Sequence, residues 1–153
     1  MNRVIITGPT GAIGMALIEY LSVRGVQVIA VVRSDSRRKK QIRESENVLM
    51  VECALCELQS LSQRISAAIV KKEWSVEQKP DVFYHFAWDG TFGNSRNDMY
   101  LQGRNITYAL DAVEAAAALG CKTFIGAGSQ AEYGRYEGNL KADIPTFPEK
   151  GYG

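Results

Sequence analysis

The sequence has no apolar run near the ~18 residues that a membrane-spanning helix needs. It has no charged-then-apolar leader either, because a strand-like run begins at once at Arg3 or Val4. A membrane partner and a cleaved secretory signal are therefore not expected. Charge of one sign is also missing: 18 basic residues stand against 17 acidic, a formal net of +1. No polyelectrolyte field draws nucleic acid to the chain. Cysteine is scarce and odd in number, at three, which suits a reducing cytoplasm and argues against a disulfide framework. The pair Cys53-x-x-Cys56 has the look of a zinc or redox half-motif. Only Cys121 and His85 could complete a zinc site, far off in sequence and in strand contexts, and a redox pair at a helix head has no other support. The pair is read as coincidence, and no metal is expected.

What the chain does have is glycine in one telling arrangement. Val4-Ile5-Ile6-Thr7 is a β-branched run that leads into Gly8-Pro9-Thr10-Gly11-Ala12-Ile13-Gly14, with glycines spaced G-x-x-G-x-x-G. Met15, Leu17, Ile18 and Leu21 then recur at helical intervals. Strand, tight turn and helix start follow without a break, which is the context a dinucleotide fingerprint requires. Gly8 can take the positive φ of the turn, Gly11 lets backbone approach a pyrophosphate, and Gly14 lets the helix sit close to its strand. The helix N-terminus offers free N–H groups to the anion. With 46% hydrophobic and 23% charged residues over 153 positions, the rest reads as a globular domain, of a size that buries roughly 68–70% of its unfolded surface.

Along the chain, Arg24-Gly25 closes the first helix, and Val26 to Arg33 is apolar enough for a strand buried on both faces. That completes a βαβ unit. Its second strand ends at Arg33, where NAD-binding proteins often place an acidic residue for the ribose 2′-hydroxyl. A guanidinium there would instead pair with a 2′-phosphate, so NADP is the expected cofactor, with NAD as the other choice. Ser34 could add a hydroxyl, and Arg37 or Arg38 could close over the phosphate. Six of the eleven residues from Arg33 to Arg43 are basic, and charge runs are usually solvated. Lys39, Lys40 and Arg43 are read as the exposed face of a short helix.

Asn47 to Glu52 reads as a third strand, and Glu57 to Lys72 as an amphipathic helix through Leu58, Leu61, Ile65, Ala68 and Ile69. Lys79-Pro80 breaks the chain before a fourth strand, Asp81 to Ala87. His85 in that strand is read as a hydrogen-bonded core residue. The polar stretch Asp89 to Asn97 would lie at the carboxyl ends of the strands, the crevice where open α/β sheets bind ligands. A long helix from about Asp98 to Leu119 follows, capped by Gly120, and Lys122 to Ala127 is a fifth strand.

The T-G-x-x-G-x-x-G opening, the run His85-Phe86-Ala87-Trp88, and Ser129 four residues before Tyr133-Gly134 together resemble the extended, sugar-nucleotide branch of the short-chain dehydrogenases/reductases. The resemblance extends from Arg3 to Gly153. It implies a Rossmann-like α/β fold of five parallel strands in the order 3-2-1-4-5, helices on both faces. It implies a cofactor-binding domain over residues 1–134 and a tail, 135–153, leading into the catalytic Tyr segment. The backbone of Phe86, Ala87 and Trp88, the end of the fifth strand at Ala127, and the helix residue Asn105 would join Gly8, Thr10, Gly11, Ala12, Ile13, Gly14, Arg33 and Ser34 around the cofactor. Cys53 or Ala54 stands where the family usually has an Asp at the adenine.

The same resemblance places the chemistry on two hydroxyls. Ser129 matches the hydroxyl that polarises the substrate carbonyl. Tyr152, 23 residues on, matches the first residue of Y-x-x-x-K, in which Tyr is the acid/base and Lys lowers its pKa. The Lys would fall three residues past Gly153. Gln130-Ala131 replaces the acidic pair of the dehydratase members, so sugar 4,6-dehydration is not expected. What is implied is an N-terminal fragment without the sugar-binding lobe, inactive or nearly so, from an NAD(P)-dependent nucleotide-sugar epimerase or keto-sugar reductase. The fifth strand would then be an exposed apolar edge inviting self-association. The alternative is a non-catalytic dinucleotide-binding module or redox sensor that works through a partner.

Overall fold

A computed structural model describes residues 1–153. Five parallel strands form one sheet in the order β3-β2-β1-β4-β5. In chain order the elements are β1 (Arg3–Thr7), α1 (Ala12–Ser22), β2 (Gln27–Val32), β3 (Val48–Glu52), α2 (Leu61–Lys71), β4 (Val82–His85), α3 (Met99–Ala118) and β5 (Thr123–Gly126). This is the doubly wound arrangement implied by the sequence. The chain divides into two compact units: Met1–Ala87 with Tyr108–Gly126, and Trp88–Thr107 with Ala127–Gly153.

The first unit holds the sheet. Because strand side chains alternate between faces, β1 sends Val4 and Ile6 to one side and Ile5 to the other. Val4, Ile6, Val28, Ala30 and Val32 pack with Ile18 and Leu21 of α1. Ile5, Ile29, Val31 and Phe83 pack with Leu61, Ile65 and Ile69 of α2 and with Ala112, Ala115 and Ala116 of α3. β2 is apolar on both faces because both are covered, as parallel strands require. β5 pairs only with β4, and Thr123, Ile125 and Gly126 are exposed.

The helix ends show why the sequence stops them where it does. After α1, Val26 N–H reaches Leu21 O at 3.2 Å and Gly25 N–H reaches Ser22 O at 3.1 Å, with Gly25 at φ +75. After α3, Cys121 and Gly120 repeat the pair of bonds to Ala116 and Ala117, with Gly120 at φ +74. These are glycine-closed helix ends. After α2 the same geometry falls on Glu73, at φ +59. A left-handed conformation costs a non-glycine residue about 1–2 kcal/mol. Glu73→Gly should therefore raise stability by about 0.5–1 kcal/mol, part of the relief being offset by the freer unfolded chain. Urea denaturation would measure it, and a loss of stability would mean that the Glu73 side chain contributes contacts of its own.

Two segments depart from the sequence expectation. The helix expected from Glu57 is preceded and split by a 3-10 stretch, Leu55–Ser60, and α2 proper begins at Leu61. Glu57 Oε2 accepts from Ala54 N–H at 3.0 Å, which tightens this first turn. The basic run does not make a full short helix: only Lys39–Gln41 form a single 3-10 turn. Lys39 reaches Glu52 at 2.6 Å and Ser34 O at 2.8 Å, and Ile42 is buried beneath it.

Arg3 is wholly buried at the start of β1. Its Nε and Nη2 donate to Gln27 Oε1 at 2.8 and 2.7 Å, and Nη1 donates to Ser75 O and Gln78 O at 3.0 and 2.6 Å. Its guanidinium also lies over the Trp74 ring, 5.3 Å from the centroid. The cation thus fastens the connection from α2 to β4, and burial lowers its pKa.

Candidate active site

In the first unit, the turn after β1 has the features a phosphate cradle needs. Gly8 takes φ +67, and Gly11 N–H closes the turn on Gly8 O at 3.2 Å. Gly11 is the N-cap of α1 and has no side chain to cap it. The first N–H groups of an α-helix have no partner within the helix. Those of Ala12, Ile13 and Gly14 therefore present donors and the positive end of the helix dipole, and Ala12 and Ile13 are exposed. The glycines divide the work. A Cβ at Gly8 would fall 2.7 Å from the backbone of Phe86 and Ala87, and one at Gly14 would fall 2.6 Å from Gly8 O. A Cβ at Gly11 would meet only Gly8 O, at 3.5 Å. Gly8 and Gly14 are packed shut; Gly11 faces open space. Thr10 lies half-buried between them.

The ends of β1 and β4 are tied beside this turn. Thr7 Oγ1 lies 2.9 Å from His85 Nδ1 and accepts from Ala87 N–H at 3.4 Å, while Phe86 N–H donates to Thr7 O at 3.2 Å. His85 is buried and stacked on Phe124, with ring centroids 5.9 Å apart. Burial pushes its pKa down to about 4, so it is neutral at physiological pH. Arg33 follows β2 directly. Its Nε lies 3.7 Å from Asp35 Oδ1, both side chains exposed, and Ser34 is exposed beside it. An ion pair this long and exposed is worth well under about 1 kcal/mol. Cys53 is buried past the end of β3, where burial raises its thiol pKa.

The second unit is organised around two buried amides on α3. Asn105 Oδ1 accepts from Asp89 N–H and Asn105 Nδ2 donates to Asp89 O, both at 2.9 Å. Gln102 Oε1 accepts from Trp88 Nε1–H at 2.8 Å, and Gln102 Nε2 donates to Gly90 O at 3.1 Å and Ser95 O at 2.9 Å. Asp98 caps α3, its Oδ1 accepting from Tyr100 and Leu101 N–H at 3.1 and 3.0 Å. The polar stretch after β4 is therefore a fixed loop. Gln102 was not singled out from sequence. The available signal was its place three residues before Asn105, which puts two amides on one helix face.

Ser129 heads a 3-10 turn, Gln130–Tyr133, one residue beyond Gly128 and close after the exposed Ala127. Its Oγ accepts from Ala131 N–H at 3.1 Å, and its own N–H donates to Glu132 Oε1 at 2.5 Å. The hydroxyl proton is left to donate elsewhere. Tyr152 N–H donates to Arg96 O at 2.9 Å. Its ring stands edge-on to Trp88 at 6.3 Å and beneath the Arg96 guanidinium at 4.6 Å. A Cβ on Gly153 would lie 2.3 Å from Ala131 O. The Tyr152 segment and the Ser129 turn are thus brought together within this unit.

Residues 4–153 match the model of the NAD dependent epimerase/dehydratase family. The chain belongs to this family. Among curated members it is 28% identical to dTDP-6-deoxy-L-talose 4-dehydrogenase (NAD(+)) of Aggregatibacter actinomycetemcomitans, over 99% of this chain and 50% of that protein. Among solved structures it is similar to Bordetella bronchiseptica WbmG in complex with NAD and UDP. The TM-score is 0.76 at 20% identity, over 99% of this chain and 45% of that one. It is likewise similar to a UDP-glucose 4-epimerase of Thermotoga maritima, bound to UDP-glucose. The TM-score there is 0.74 at 22% identity, covering 99% and 46%. At these identities the structural likeness establishes the fold. The chain spans about half the length of the family members it matches. No helix is long and apolar enough to cross a membrane.

Proposed function

We propose that this chain is the cofactor-binding part of an NAD(P)-dependent enzyme that epimerises or reduces a nucleotide-linked sugar. The observation that carries the reading is the uncapped start of α1 above Gly11, where a Cβ would meet only one atom within 4 Å. Exposed N–H groups at a helix start fit a pyrophosphate. In this reading Gly8, Thr10, Gly11, Ala12, Ile13 and Gly14 hold the pyrophosphate. Phe86 and Ala87, in the same unit, lie along the remainder through backbone contacts, and in the second unit Asn105 fixes the loop that follows Trp88. Bound NAD(P) supplies the hydride acceptor and donor. Ser129 would donate its free hydroxyl proton to the substrate's carbonyl oxygen, and Tyr152 would give and take the proton at that oxygen.

The names of family members include NAD(+) and NAD. For this chain we propose NADP, because Arg33 and Ser34 stand at the end of β2, where the ribose 2′ position of a dinucleotide falls. A charge-assisted hydrogen bond is worth about 1.5–3 kcal/mol, or roughly ten- to a hundredfold in affinity. Titration by tryptophan quenching should show NADPH at least about tenfold tighter than NADH, and Arg33→Ala should bring the two together. NADH binding as tightly as NADPH would overturn the NADP assignment. It would leave Asp35, paired with Arg33 at 3.7 Å, as the ribose partner.

A further inference from the structure

We propose that Arg96, Trp88 and Gln102 are positioning residues for Tyr152, forming a cage that fixes the phenol ring before substrate arrives. The proposal rests on the proton-shuttling role given to Tyr152 above, and adds how that ring is held.

Arg96 touches Tyr152 twice. Its carbonyl accepts from Tyr152 N–H at 2.9 Å, and its guanidinium lies over the ring at 4.6 Å. A cation over an aromatic face is attracted by the ring's quadrupole. The main chain and the side chain of one residue therefore fix both the position and the plane of the other. Arg96 Nε is buried and has no hydrogen-bond partner. A buried unsatisfied donor is rare and calls for a reason. A guanidinium placed for hydrogen bonding would not leave it so, whereas one placed as a flat plate over a ring can.

The second wall is Trp88, edge-on to Tyr152 with rings 89° apart. Aromatic pairs favour this edge-to-face geometry. Trp88 does not stand there by packing alone, since its Nε1–H is held by Gln102 Oε1 at 2.8 Å. The other end of the same amide donates to Gly90 O and to Ser95 O, and Ser95 immediately precedes Arg96. One buried side chain on α3 thus sets both walls. Two glycines make room for this. Gly90 takes φ +77, and a Cβ there would lie 2.7 Å from Gln102 Nε2. At Gly151 a Cβ would lie 2.6 Å from Met99 Sδ, so the residue before Tyr152 can lie flat against α3.

The test is the ring resonances of 13C-labelled tyrosine in this chain, with the Tyr152 signal assigned by its disappearance in Tyr152→Phe. In the parent chain that signal should be displaced from the free-tyrosine position by the Trp88 ring. Arg96→Ala, Trp88→Ala and Gln102→Leu should each abolish most of the displacement, and Arg96→Lys, which keeps the cation, should restore part of it. Tyr133 and Tyr136 in the same unit report whether the fold survives. A Tyr152 signal unmoved in both Arg96→Ala and Trp88→Ala, with the other tyrosines unchanged, overturns the proposal. A general loss of dispersion in one variant shifts the test to the others, since the three substitutions remove separate contacts. The ring's placement is read without turnover. A wrong acid/base assignment would therefore leave these shifts as expected, and only a wrong cage would remove them.

Discussion

Gly11→Ala should leave the fold standing and weaken dinucleotide binding by roughly ten- to a hundredfold, the worth of one charge-assisted hydrogen bond. Gly8→Ala and Gly14→Ala should instead damage the fold itself. A methyl at Gly11 meets one atom, Gly8 O, at 3.5 Å, an ordinary contact. It would, however, occupy the open space above the start of α1, where in the proposed cofactor reading a pyrophosphate oxygen approaches backbone N–H groups. At Gly8 the methyl would press on the Phe86 and Ala87 backbone at 2.7 Å, and the residue would be held at φ +67. The left-handed penalty of about 1–2 kcal/mol adds to an overpacking cost of about 1–3 kcal/mol. At Gly14 only the second contribution applies, against Gly8 O at 2.6 Å and Pro9 at 2.7 Å. Urea denaturation and NADPH titration on the three variants separate the effects. Wild-type affinity in Gly11→Ala would reduce the glycine turn to a structural turn and remove the main support for the cofactor reading.

The turn itself, with Gly8 at φ +67 and Gly14 packed on Gly8 O, was legible in the sequence because glycine at these spacings has few physical uses, and the strand before and helix after narrow them further. The sheet was legible for a similar reason. Val28, Ile29, Ala30, Val31 and Val32 are all buried, which only a strand covered on both faces needs, and that already implies parallel pairing inside the sheet. What the sequence did not disclose were contacts that depend on distant partners. Arg3 looked like the edge of a strand, because a charged residue is rarely buried without a pair. Its hydrogen bonds go to Gln27, Ser75 and Gln78, which no local pattern links to it. Glu73 sits where a helix end calls for glycine, so composition hid the turn. Gln102 is set apart from the other polar residues of a long helix only by the convergence of Trp88, Gly90 and Ser95 on it. Ser129 and Tyr152 were marked by resemblance to a family motif. The structure adds that the two segments lie together and that the Tyr152 ring is flanked by Trp88 and Arg96.

Mild acid should destabilise the fold by about 3 kcal/mol between pH 6.5 and pH 4, and His85 should carry that loss. The ring is held neutral, its pKa pushed down to about 4 by burial, while in the unfolded chain it returns to about 6.5. Between those values the unfolded state binds a proton that the native state refuses, so stability falls as pH falls. At about 1.4 kcal/mol per pH unit, the interval gives the quoted figure, with the full stability present above pH 6.5. The groups around the ring do not offset this. Thr7 Oγ1 is neutral and the facing ring is Phe124. Asp81 is held down to about 2 by Asn2 N–H and by Lys122, so what it contributes is lost only below about pH 4. With a urea m-value of about 1–3 kcal/mol/M, the midpoint should drop by about 1–3 M from pH 7 to pH 4. His85→Leu, which cannot take up a proton, should show a flat profile across the same window, from whatever starting stability the lost Thr7 bond leaves. The bond at stake closes the ends of β1 and β4 beside Gly8, so dinucleotide affinity should weaken along with stability in the parent chain. Equal midpoints at pH 7 and pH 4.5 in the parent chain would mean that the imidazole finds a proton acceptor on opening, and that it is not the neutral buried tie described here.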